Sequence, residues 1–172
     1  MTNNEKAHWK CQFRLEKRPG DINKCQTPAQ RLAFLETVSP YEVIKGKDNC
    51  LLNTGINEMW DLITGVVSGT DHVFNSTKAQ IGVGNSSTPA AATQTDLIGT
   101  STYKGMEGGF PTSTAQKATF KSSFGSADAN YTWAEWVVKQ VTSAKCLNRK
   151  VDAMGTKAVG STWTLEVSIT LS

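Results

Sequence analysis

Between Gly160 and Ser172 apolar and polar residues alternate without an error. Trp163, Leu165, Val167, Ile169 and Leu171 fall on one side, and Thr162, Thr164, Glu166, Ser168 and Thr170 on the other. A period of two rich in β-branched residues predicts a strand with one face in a core. At roughly 3.3 Å per residue it spans about 35–40 Å, beyond the usual strand length, so a bend or a share in two sheets is expected. Residues 8–16 repeat the pattern: Trp9, Cys11, Phe13 and Leu15 oppose His8, Lys10, Gln12, Arg14 and Glu16. One face is apolar and the other mainly basic. Shorter strands are predicted over Lys78–Val83, Gln116–Phe124 and Leu147–Val151, and Tyr41–Ile44 reads as a short strand or a connector. Tyr131–Val138 reads as a hairpin-like return from Gln116–Phe124; aromatics on both of its faces imply cover on both sides or contact with another chain.

The clearest helix runs from Asp48 to Thr64. Leu52, Ile56, Met59, Trp60 and Ile63 recur at helical spacing, with Asp48 or Asn49 to cap the start and Gly65 to close the end. Such a stripe predicts core packing, with Trp60 buried against the sheet that holds the C-terminal strand. Gly55 weakens the helix by ~1 kcal/mol relative to Ala. After Thr27-Pro28, a short helix and an extended segment are both compatible with Ala29–Val38. The fold class is therefore mainly β: a single β-sandwich or barrel-like domain, one core-packing α-helix over about 49–64, and an N-terminal extension.

Composition changes this picture little. Charged residues make up 19% of the 172, below the usual quarter, and small polar residues and Gly take their place. The net charge of +3 does not call for nucleic acid. Its distribution matters more, because the whole surplus lies in residues 1–50, which hold nine Lys or Arg against six Asp or Glu. No apolar run approaches the ~20 residues that cross a bilayer, and Met1 to Lys6 lack the apolar segment of a secretory signal. No membrane partner and synthesis in a cytoplasm are the expectations. Cys11, Cys25, Cys50 and Cys146 show no paired spacing, so buried free thiols are favoured over disulfides or a zinc site from His8, Cys11 and Cys25.

Catalytic chemistry does not assemble along the chain. Asp71-His72 is a local loop pair without a nucleophile motif. Gly82-Val83-Gly84 lacks the third glycine and the Lys-Ser/Thr of a phosphate loop. Glu107, Asp128 and Glu135 are scattered carboxylates, and Trp133 with Trp136 reads as core rather than as a sugar platform. No cofactor, metal or enzyme activity is expected.

A run of short motifs carries a resemblance. It includes Asn49-Cys50-Leu51-Leu52-Asn53-Thr54-Gly55-Ile56, Ala79 to Thr88, Gln94-Thr95-Asp96-Leu97, Tyr103-Lys104-Gly105-Met106 and Gly109-Phe110-Pro111. It continues through Ala118-Thr119-Phe120, Phe124 to Asn130, Trp133-Ala134-Glu135-Trp136 and Leu147-Asn148-Arg149-Lys150 to the final strand. Over about residues 49–172 the chain resembles small structural proteins of tailed bacteriophages, several of which look like head decoration (cement) proteins. The resemblance implies a non-enzymatic virion protein on the capsid exterior, assembled in the host bacterial cytoplasm. Its implied partners are the major capsid protein and copies of itself, as a homotrimer, without direct contact to nucleic acid. A tail component (tube, adaptor or fibre-base protein) is the alternative, and a carbohydrate-binding β-sandwich module a more distant one.

Residues 1–45 lie outside that block. They read either as an arm extending from a 46–172 domain or as the first strands of one sandwich. In the arm reading, Trp9, Lys10, Phe13, Arg14, Leu15, Lys17, Arg18 and Arg31 form the partner-binding set: an apolar ridge to bury and cations to meet acidic groups.

Overall fold

The structure, a computed structural model, describes residues 8–172. Ten strands form two five-stranded antiparallel sheets that pack face to face. The strands are β1 (Trp9–Pro19), β2 (Glu42–Lys47), β3 (Cys50–Leu51), β4 (Ala79–Gly84), β5 (Ser101–Gly105), β6 (Thr112–Thr114), β7 (Lys117–Phe124), β8 (Thr132–Gln140), β9 (Cys146–Thr156) and β10 (Ser161–Leu171). The first sheet runs β2-β1-β10-β7-β6 and the second β3-β9-β8-β4-β5. Two helices, α1 (Pro28–Thr37) and α2 (Asn53–Thr64), lie in the connections.

The alternation at the C-terminus becomes the middle of the first sheet. β10 pairs with β1 from Trp9↔Leu171 to Pro19↔Ser161, and with β7 from Trp163↔Phe124 to Thr170↔Lys117. It stays in one sheet rather than being shared between two. Its inward residues Trp163, Leu165, Val167 and Ile169 join Cys11, Phe13 and Leu15 of β1 and Phe120 and Phe124 of β7 in the main core. Opposite them stand Ile81, Val83, Trp133, Trp136, Val138 and Met154 of the second sheet. Edge-on contacts between Trp133 and both Phe124 and Trp163, each 4.8 Å between ring centres, lock the two layers together.

The arm expectation is therefore corrected for residues 8–45. β1 is hydrogen-bonded on both sides, and its Phe13 and Leu15 are core residues. Residues 8–45 belong to the same sandwich as 46–172; residues 1–7 of the expected arm lie outside the described residues. After β1, Thr27 starts α1 through a capping box with Gln30, and Pro28 takes the first helical position.

β7 and β8 are not a hairpin. They lie in opposite sheets, and the Gly125–Tyr131 connection arches between the layers. The register of β8 against β9 shifts between Trp133 and Glu135. The irregularity lies on β9, where Asp152, Ala153 and Met154 face the single residue Ala134, and beside it Trp133 and Trp136 both point into the main core although three positions separate them. Glu135 and Val137 then face outward, yet both are fully buried, because a long connection over residues 85–100 covers that side. The expectation of cover on both faces is met from within the chain.

The α2 helix starts at Asn53, since Cys50 and Leu51 pair with β9 instead. Its orientation also departs from expectation. Gly55 and Glu58 are its buried residues, Met59 packs on the core, and Trp60 is 60% exposed. A Cβ on Gly55 would lie 2.4 Å from the Leu147 carbonyl oxygen, so the glycine is what lets the helix rest on the β9 backbone.

Candidate functional site

The partner-binding set does not stay together. Phe13 and Leu15 are in the core, and Trp9 is half-buried with its indole N–H donating to Asn49 Oδ1 at 2.8 Å. Lys17 turns inward, pairs with Glu42 at 2.9 Å and sits 4.3 Å from the centre of the Trp163 ring. Arg18 is buried, paired with Glu16 and donating to the Val38 carbonyl. Arg31 pairs with Glu107, tying α1 to the loop before β6. Of the eight, Lys10 and Arg14 present a charge to the open face of the first sheet.

The register of four strands places further cations beside those two. Outward side chains form a grid whose first row is Lys45, Arg14, Glu166 and Lys121 on β2, β1, β10 and β7. The second row is Lys47, Gln12, Ser168 and Thr119, and the third is Lys10, Thr170 and Lys117. With strands about 4.8 Å apart, this face is on the order of 15 Å across. Six cations stand there against Glu166, which Lys121 approaches at 3.4 Å. Glu16, one row further, is taken up by Arg14 and Arg18. Lys10, Lys45, Lys47 and Lys117 make no ion pair among the described residues. A depression of about 480 Å3 between Gln12, Arg14, Lys45, Lys117, Glu166 and Ser168 marks the centre of the face.

A second open surface has the opposite character. Where β1 begins and β10 ends, the sheets part around an apolar groove of about 460 Å3 lined by Trp9, Met59, Phe74, Phe120, Leu147 and Leu171. Beside Met59 the same helix exposes Trp60 and Ile63, the latter 72% open.

The remaining polar chemistry is used to build the fold. Glu135 accepts hydrogen bonds from the N–H groups of Ser86, Ile98 and Gly99 and from Arg149, whose other donors reach Gln94 and the Thr88 carbonyl. Gly84 leaves room for that carboxylate: a Cβ there would lie 2.6 Å from its Oε1. Burial pushes Asp96 up, but hydrogen bonds from Lys139, Tyr103 and the Leu97 N–H, with the Lys139 charge, hold it below the usual carboxylate range. His72 is bonded through Nδ1 to Glu58 at 2.9 Å and Asp71 pairs with Lys78, so the Asp71-His72 pair is divided between two structural contacts. Among the described residues no three His, Cys, Asp or Glu side chains gather as a metal site, and the four cysteines are free. No family model, curated protein or solved structure matches the chain.

Neither surface was legible beforehand. The basic face needs the pairing register of strands far apart in sequence; only the basic side of residues 8–16 hinted at it.

Proposed function

We propose that the protein is a non-enzymatic structural protein of a tailed-phage virion, a head decoration protein that lies on the major capsid protein shell and braces capsomer junctions. The observation that carries this reading beyond the sequence resemblance is the outer face of the first sheet. It is built on the best-paired strands of the molecule and set with six cations against one carboxylate. A rigid face of one charge suits docking on a broad acidic protein surface, where complementarity steers and registers contact. It has no aromatic platform of the kind that stacks unpaired bases, and it does not project into a groove. The mechanism is mechanical: each copy bonded across a junction raises the work needed to part neighbouring capsomers.

The tail reading shares the same surfaces and differs in copy number. The carbohydrate reading loses its platform, since Trp133 and Trp136 are both fully buried. Quantitative mass spectrometry of purified heads and tails tests the proposal. Hundreds of copies per head are expected; a few dozen copies confined to tails would assign the chain to the tail instead.

A further inference from the structure

We infer that the outer face of the first sheet receives a short extended segment of its protein partner, with carboxylates at both ends and an uncharged residue between them. This deepens the reading of that face as a docking surface and rests on it for the partner's being a protein. The pattern of charge and the span of the face define the segment.

The central depression follows from side-chain length. Its floor, in the second row of the grid, holds the short hydroxyl side chains of Ser168 and Thr119, which bond each other at 3.1 Å. The rows on either side carry longer cationic side chains and stand above it. What enters meets an uneven pattern of charge. Arg14 is already engaged by Glu16, and Lys121 approaches Glu166. The four lysines without an ion pair among the described residues stand at the two sides: Lys45 and Lys47 on β2 with Lys10 on β1, and Lys117 on β7. All four are exposed. Between the two sides, on β10, stands Glu166.

Two positive sides with a negative middle select the arrangement of the occupant as well as its sign, because like charges brought together at an interface suppress the wrong partner. The span selects its length. β2 and β7 are three strand spacings apart, about 14 Å, and an extended chain advances about 3.3 Å per residue, so about five residues bridge them. A carboxylate at each end then meets lysines, and an uncharged residue passes Glu166. A nucleic-acid strand cannot match this pattern. It bears a charge on every phosphate and presents one to Glu166 wherever it lies.

Fluorescence anisotropy on the full chain tests this with two labelled, end-blocked peptides of one composition, Asp-Glu-Ser-Thr-Glu-Asp and Ser-Asp-Glu-Glu-Asp-Thr. The salt is kept at about 20 mM, where exposed charges are little screened. The first peptide, with its charges split, is expected to bind at least about fivefold tighter than the second. Lys45→Glu and Lys117→Glu should each weaken it at least about tenfold. Lys145→Glu, an exposed change in the turn between two strands of the second sheet, should leave it within about twofold. Glu166→Gln should close the gap between the two peptides. The lysines are exposed, so their variants keep the fold, and melting curves verify it; if a charge reversal unfolds the chain, Lys45→Gln and Lys117→Gln replace it, with at least about threefold loss expected. Four results would each overturn the inference: no binding up to about 1 mM peptide, the contiguous peptide bound as tightly as the split one, a single-stranded DNA hexamer bound more tightly than either, or an equal loss in Lys145→Glu. None of these results alters the copy number found in heads, so this inference and the cement reading fail separately.

Discussion

Glu135 and Arg149 meet at 2.7 Å across β8 and β9, and neither side chain has any exposure to solvent. The pair does more than join two strands. Each partner also binds the 85–100 connection, Glu135 through three backbone N–H groups and Arg149 through Gln94 and the Thr88 carbonyl. Sixteen residues without a strand or helix are thus fastened from beneath by one ion pair.

Removing one partner leaves the other charged and buried, which costs about 3–5 kcal/mol. Glu135→Gln is expected to lose stability of that order in urea unfolding. It should also bring amide exchange over residues 85–100 close to that of an open loop. A variant within about 1 kcal/mol of wild type, with exchange unchanged, would show that the connection is held by other contacts.

Gly55→Ala sets two effects against each other. Alanine favours a helix by about 1 kcal/mol over glycine. At this site the added methyl meets the Leu147 backbone at 2.4 Å, and backbone cannot give way as a side chain does. The clash wins: the variant is expected to melt lower than wild type, by several degrees. A gain in melting temperature would mean that α2 does not sit on β9 as described.

The four thiols should divide into two classes. Burial pushes Cys11 up to about 12 and, helped by Asp96, raises Cys146 further. Cys25 and Cys50 are only half-buried. Since the thiolate is the nucleophile, an aromatic disulfide reagent at about pH 8 should modify Cys25 and Cys50 first. Cys11 and Cys146 should react only after denaturant is added. Four equal rates in the native protein would contradict the packing of β1 and β9.

Lys157 carries a pH signature. Its ammonium is buried, donating to the Gly125 carbonyl at 2.6 Å and to Asn130 Oδ1, and burial lowers its pKa to about 8 against the pull of Asp128 and Asp21. Below about pH 8 the lysine is charged in both states, and the folded state carries the full desolvation cost. Between about 8 and the unfolded value near 10.5 the folded protein has already released its proton while the unfolded chain keeps it, so stability from this group rises with pH. Lys157→Met lacks that rise. The stability of wild type minus variant, from urea unfolding at about pH 7.5, 9 and 10, is therefore expected to increase with pH. Thiol and tyrosine titrations in the same window occur in both proteins and cancel. A flat difference would place the lysine in water.

How far the sequence reached depended on whether an element faces one environment or two. β10 alternates cleanly because one side of it meets a single core throughout, and β1 does the same. β8 misleads because Trp133 and Trp136, three positions apart, both face the core beside the irregularity in its pairing with β9, and because Val137 packs under a loop rather than facing water. On α2 the apolar stripe was correctly read as a helix face. The sequence could not show that the axis is turned by Gly55 and Glu58, so that Met59 faces inward and Trp60 outward. Periodicity also cannot tell a strand that joins its own sheet from one that joins a neighbour's. That choice was made by the pairing of residues 9–19 with 161–171, a contact between distant parts of the chain. The basic face follows from the same pairing.

That pairing also fixes when the protein can fold. β1 is translated first and β10 last of the strands, yet β10 is the partner on which both β1 and β7 depend. Until it has left the ribosome, two apolar strands of the first sheet have an open flank. Closing a contact of such long range is slow, on the order of milliseconds to seconds. A nascent or truncated chain that stops before Ser161 therefore displays two unpaired edges of high β-propensity, the surfaces along which chains stack into aggregates. The cell making this protein has to keep it from its neighbours until its final strand arrives.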